Sequence, residues 1–167
     1  MDLSRLDRRR TLIGAIASIL LIISVLFLPW YSLEANPQRL GEDFNSDAFI
    51  CGDGEFSCTG FETFPILRWL LLLAAVAPLI LAWILIRGHK LSYPPGEMTM
   101  LAGFTATVLI AYNGIIDRPG AQIAEAGVSL DYGYWIGLLA AIAIGTVGFM
   151  RSMESGGRQA RKAPGTV

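Results

Sequence analysis

Few residues in this chain of 167 have types and spacing that could do chemistry. Between its two cysteines, Cys51 and Cys58, lie six residues, Gly52, Asp53, Gly54, Glu55, Phe56 and Ser57. In an oxidising compartment such a pair can close a short disulfide loop, which chain-entropy arguments value at about 2–3 kcal/mol. A redox pair or two free thiols are the alternatives, although a redox site calls for a closer motif such as C-x-x-C. Just upstream, Asp43, Asn45 and Asp47 alternate as the oxygen ligands of a calcium loop do. The match then fails: position six is Ala48 where glycine is needed, and position twelve is Gly54, with Glu55 one residue late. A solvated acidic loop is the better reading. His89 is the single histidine and has no cysteine or histidine near it in sequence, so neither a metal site nor a Ser/His/Asp set is expected. No phosphate-binding or dinucleotide glycine motif occurs. The sequence therefore points away from an enzyme and away from any cofactor.

These residues must be carried by four long apolar runs, at 12–30, 70–86, 98–116 and 132–150, none of which contains Asp, Glu, Lys or Arg. Three hold 19 residues and one holds 17. A helix of 19 residues is about 28 Å long, close to the hydrocarbon thickness of a bilayer. The expected spans are 12–30, 66–86, 98–116 and 132–150 within one domain, residues 1–153, followed by a disordered tail at 154–167. The first run is longer than the apolar core of a cleaved signal peptide and no clear cleavage site follows it, so it is expected to be retained.

Charge sorts across the intervening segments. Arg5, Arg8, Arg9, Arg10, Arg87, Lys90, Arg151, Arg158, Arg161 and Lys162 fall on one side of the four runs. The other side collects the acids Glu34, Glu42, Asp43, Asp47, Asp53, Glu55, Glu62, Asp117, Glu125 and Asp131. Basic flanks stay cytoplasmic, which predicts both termini inside and outer loops at 31–65 and 117–131. Cys51 and Cys58 would then face the oxidising exterior, which favours the structural disulfide. The basic segments are short and flank the membrane, so they read as topology signals and lipid contacts rather than as a nucleic-acid surface.

Proline and glycine punctuate the runs. Pro29, Trp30 and Tyr31 should end the first span, the two aromatics sitting in the interfacial belt. Phe44, Phe49, Ile50, Phe56, Phe61 and Phe64 are too many apolar residues for a disordered linker, so the first outer loop should fold onto the helix ends, with a hairpin through Gly52-Asp53-Gly54. Pro78 should kink the second span, and Pro94-Pro95-Gly96 should act as a helix stop and turn. Asp131, Tyr132, Gly133, Tyr134 and Trp135 should open the fourth span with an aromatic girdle.

Inside the spans, small residues recur at intervals of four: Gly133, Gly137, Ala141 and Gly145 in the fourth, Gly103, Thr107 and Ala111 in the third, Ala74, Pro78 and Ala82 in the second, Gly14 and Ser18 in the first. Such stripes let helices approach closely in lipid, either to close one bundle or to join copies. Ionisable groups within the spans are nearly absent. Arg68 is the ionisable exception and Asn113 an uncharged polar one, and Arg68 is expected to snorkel outward or to pair with Asp117 or Asp131 at the boundary. No acid marks the middle of a proton-coupled path.

The four spans, inner termini, longer first outer loop, Trp30 near its start and the cysteine pair within it resemble the claudin-like tetraspan group in outline. The residues before Cys51 are Ala48, Phe49 and Ile50, where that group carries a tryptophan. Residues 27–33 and 131–135 are similar to those of small bacterial four-span membrane proteins, which implies a bacterial plasma membrane. The expected fold class is an all-α membrane protein, a four-helix transmembrane bundle with a disulfide-pinned first outer loop. The expected role is a non-enzymatic tetraspan that works through contacts with itself or another membrane protein. The alternatives are a small channel or transporter subunit whose pore forms on oligomerisation, and a membrane enzyme using outer carboxylates or the cysteine pair.

Overall fold

The computed structural model describes residues 3–33, 57–87, 95–116 and 128–160. Four long helices dominate: α1 (Leu3–Phe27), α3 (Leu67–Ile86), α4 (Pro95–Ala111) and α5 (Tyr132–Ala160). A four-residue helix α2 (Gly60–Thr63) precedes α3, and a π-helical turn, Tyr112–Ile116, extends α4. All four long helices contain a window long and apolar enough to cross a membrane: Arg9–Phe27, Leu67–Ile84, Gly96–Ile116 and Tyr132–Glu154. The four-helix reading of the sequence therefore holds.

The bundle turns large apolar side chains outward and small ones inward, as a membrane-spanning bundle would. Large apolar side chains stand exposed along every long helix, among them Ile16, Leu73, Trp83, Leu101, Val108 and Leu139. The buried positions are often small: Gly14, Ala17, Ser18, Ala75, Ala106, Ala140 and Ala141. With no water to drive apolar burial between spans, close approach and dispersion hold such helices together. Helix α5 packs on α4 and α1, and α3 packs on α1 and α4, which closes the ring. The α4–α5 seam is the tightest. A Cβ on Gly103 would lie 2.8 Å from the Ile144 carbonyl carbon, and one on Gly96 would lie 2.9 Å from that of Arg151. The antiparallel register runs Gly96 by Ser152, Met100 by Gly148 and Gly103 by Gly145.

Three findings correct the sequence expectation. First, a small sheet accompanies the helices. Strands β1 (Pro29–Leu33), β2 (Ser57–Thr59) and β3 (Val128–Leu130) form an antiparallel sheet in the order β2-β1-β3. Pro29 bars the helical conformation to Leu28 before it, so α1 ends at Phe27 and the chain leaves extended. Tyr31 then pairs with Cys58 on one side and Leu130 on the other. Strand pairing joins residues far apart in sequence, and strands of three residues leave almost no periodic trace. Second, Pro95 starts α4 rather than stopping a helix; its missing N–H costs nothing at the first helical position. Third, α5 runs to Ala160, so residues 154–160 are helical where a disordered tail was expected. Extending a helix already nucleated in the bundle adds a hydrogen bond for each residue fixed.

The expected hairpin at Gly52–Gly54, the calcium-like string at 43–47 and His89 lie outside the described residues. Pro78 lies inside a continuous α3.

Candidate functional site

The sheet end of the bundle holds most of the polar and aromatic side chains on which a function could be built. Trp30 is at its centre and is fully buried. Its indole Nε1–H donates to Ser24 O at 2.9 Å and to Ser24 Oγ at 3.1 Å. The Ser24 hydroxyl in turn donates to Gly133 O at 2.6 Å, which ties α1 to the start of α5. Glycines flank the indole. A Cβ on Gly60 would fall 2.7 Å from the ring, and one on Gly137 would fall 3.0 Å from it and 2.8 Å from Ser24 Oγ. Tyr134 meets Trp30 edge to face, with centroids 5.8 Å apart.

Two tyrosines finish the plug. Tyr134 OH donates to Ile110 O and Tyr31 OH to Asn113 O, each at 3.3 Å. Both acceptors lie at the end of α4 and in its π turn, where the regular ladder is broken. Asn113 Nδ2 donates back to Leu109 O at 2.8 Å, so its amide serves its own helix rather than a neighbour. Gly114 lies directly under the Tyr134 ring, which a Cβ there would overlap. Trp30, Tyr31 and Tyr134 are therefore internal packing, not an interfacial belt. They are buried because β1 folds back over the helix ends and because Ser24, Ile110 O and Asn113 O accept their polar hydrogens. The exposed Tyr132 and Trp135 remain on the outer surface of α5.

Local chemistry positions the rest. Thr59 and Glu62 form a reciprocal capping box that starts α2. The Asp131 carboxylate accepts from Tyr132 N at 2.7 Å, and its carbonyl accepts from Tyr134 N at 3.2 Å, so Asp131 is tied to the first turn of α5. Cross-strand Ser32 and Ser129 join their hydroxyls at 2.8 Å.

The residues singled out from sequence take these places. Gly133, Gly137, Ala141 and Gly145 are all buried within the bundle. Gly133 meets Leu28 and Pro29, Gly137 meets Ser24 and Trp30, and Gly145 meets Gly103 and Phe104. Cys58 is buried on β2, while Cys51 and its pairing with Cys58 lie outside the described residues. Asp117 also lies outside them. Asp131 is tied to the first turn of α5 instead of pairing with Arg68. The Arg68 guanidinium lies 4.6 Å from the centre of the Phe61 ring and 5.6 Å from that of Trp69, and Nη1 reaches Phe61 O at 3.4 Å. At the opposite end Arg10 of α1 forms a salt bridge with Glu154 of α5. Sequence reasoning missed that bridge, because nothing local relates residues 144 positions apart.

Among the described residues no central passage is visible. Leu21, Val25, Leu71, Ala75, Ala106, Ile110 and Ile144 meet in a single apolar core beneath the plug. Two apolar clefts open sideways instead, one between α1 and α5 and one between α3 and α4. Among the described residues no three His, Cys, Asp or Glu side chains are grouped to hold a metal ion. Comparison with family models, with curated proteins and with solved structures returned no match.

Proposed function

We propose that this chain is a non-enzymatic integral membrane tetraspan that acts through protein–protein contacts, as a structural, scaffold or accessory subunit. The observation that carries the reading is the closed interior. The helix axis region is filled by fully buried Leu21, Leu71, Ile110 and Ile144, and its sheet end is plugged by Trp30 and Tyr134. Among the described residues the packed core leaves no conduit along the helix axes, which leaves the surfaces to do the work. Its membrane setting supplies lipid as one partner; a membrane protein or a second copy supplies the other. No nucleic acid, cofactor or metal is part of the proposal.

In this reading both termini face the cytoplasm of a bacterial cell, because ten basic residues lie on the side of the termini and the inner loop. The sheet and its flanking loops face outward, in the manner of a claudin-like tetraspan. There Cys51 and Cys58 form a disulfide; the burial of Cys58 opposite Tyr31 supports a pinned loop. Arg68 and Asp117 meet at that boundary if the second outer loop reaches α3.

The competing reading is a channel or transporter subunit with a pore formed only between copies. Association state in detergent and flux in liposomes separate the two for Gly137→Leu and Arg68→Ala. Under our reading Gly137→Leu, which drives a side chain into Ser24 and Trp30, loosens the bundle or its assembly by about 1–3 kcal/mol. Arg68→Ala leaves assembly nearly unchanged and abolishes no flux. A reproducible flux that disappears in Arg68→Ala while assembly persists would reject contact in favour of transport.

A further inference from the structure

We propose that the lateral groove between α1 and α5 holds an anionic phospholipid, with its headgroup on Arg9 and an acyl chain along the groove. The inference rests on the membrane-spanning reading of the four helices. Ile13, Ile16 and Leu20 of α1 and Leu139 of α5 stand as exposed walls, and Ala17 and Ala140 form a buried floor. The cleft measures about 370 Å³, within the roughly 300–1,000 Å³ of ligand pockets. Isoleucine, leucine and alanine are its whole lining, which suits a hydrocarbon chain.

Arg9 stands at one end of this groove. It precedes Ile13 by four residues, Ile16 by seven and Leu20 by eleven, so all four share one stripe of α1. The apolar window of α1 begins at Arg9, whose side chain is exposed. Helical side chains lean toward the N-terminus, which carries this guanidinium away from hydrocarbon and toward headgroups. Leu20 lies about 16 Å farther along the helix, half of a hydrocarbon core of roughly 30 Å. The α1 wall therefore matches a chain from the leaflet on the Arg9 side. Charge selects the headgroup. The segments on that side carry ten bases against four acids, Asp2, Asp7, Glu97 and Glu154, so a positive surplus persists however those segments fold. Glu154 is already bridged to Arg10. In line with the other end of the groove stands Tyr132, seven residues before Leu139, exposed and uncharged. An anionic headgroup thus finds its cation at the Arg9 end.

The test is native mass spectrometry of the full chain in mild detergent, titrated with phosphatidylglycerol and, separately, with diacylglycerol of the same chains. Arg9→Gln should bind phosphatidylglycerol about fivefold more weakly than wild type, the weight of one arginine at an anionic surface. Diacylglycerol should not distinguish these two proteins. Arg87→Gln removes an exposed base at the same end, just after α3, and should stay within about twofold of wild type. Ala143→Phe fills the groove and should weaken both lipids. Equal phosphatidylglycerol binding by wild type and Arg9→Gln would overturn the proposal. So would an equal loss in Arg9→Gln and Arg87→Gln, since diffuse positive charge would then suffice. If Ala143→Phe separates copies of the chain but leaves lipid binding intact, the groove seats a second copy and the lipid is rejected. Association state, read from the same spectra, tests the contact reading separately. Should Ala143→Phe fail to fold, the comparison of Arg9→Gln with Arg87→Gln decides alone.

Discussion

Trp30 shows how one residue can organise an end of the bundle. Its ring occupies a slot cut by two glycines, Gly60 and Gly137, and its single polar hydrogen is consumed by Ser24. Those two roles separate by mutation. Trp30→Phe keeps an aromatic ring in the slot but removes the donor, and should destabilise the protein by about 1 kcal/mol. Trp30→Ala empties the slot and should cost about 3–5 kcal/mol. Thermal unfolding in detergent measures both. If the two variants unfold alike, the ring is not the keystone its burial implies.

At the scale of elements, the sheet is the unexpected feature. Three short strands pair across segments far apart in the chain and cover one end of the bundle. Polar backbone leaving a membrane helix needs partners, and β1 finds them on both sides, in β2 and β3. Cys58 lies on β2, so a bond to Cys51 would anchor the segment that leads into the strand. The protein isolated without reductant should have a mass two hydrogens below that of the reduced chain. Two free thiols in that measurement would leave the sheet to hold itself. Asp131 secures the other strand junction. Asp131→Ala removes its carboxylate from the first turn of α5 and should lower stability by about 1 kcal/mol, read from the same unfolding curves.

For the whole molecule, the decisive quantity is which way the bundle sits. Positive flanks predict that labels placed at residues 1 and 167 are protected in intact cells, while labels at residues 43 and 125 react from outside. Reaction of either terminus from outside would invert the proposed topology and place the sheet in the cytoplasm. The Arg10–Glu154 bridge fastens the opposite end, but both side chains are partly exposed, at 24% and 40%. Such pairs contribute little, so Glu154→Gln should shift stability by less than about 1 kcal/mol. Cohesion across the whole molecule comes instead from the glycine seam between α4 and α5.

The sequence alone determined the four helices and the small-residue faces within them. Span length and the spacing of Gly133, Gly137, Ala141 and Gly145 are local properties, set by the rise of a helix and its periodicity. It could not tell which neighbour each position would meet. Tertiary structure alone decided that Gly137 faces Trp30 while Gly145 faces Gly103, because one stripe contacts different helices as they cross. The same holds for the aromatics after Pro29. Trp and Tyr at a span end are equally suited to lipid headgroups and to a polar interior, and only the fold-back of β1 placed Ser24, Ile110 O and Asn113 O within reach of their hydrogens. Asp131 followed the same logic: a carboxylate can serve an ion pair or the first turn of a helix, and the start of α5 lay nearer than Arg68.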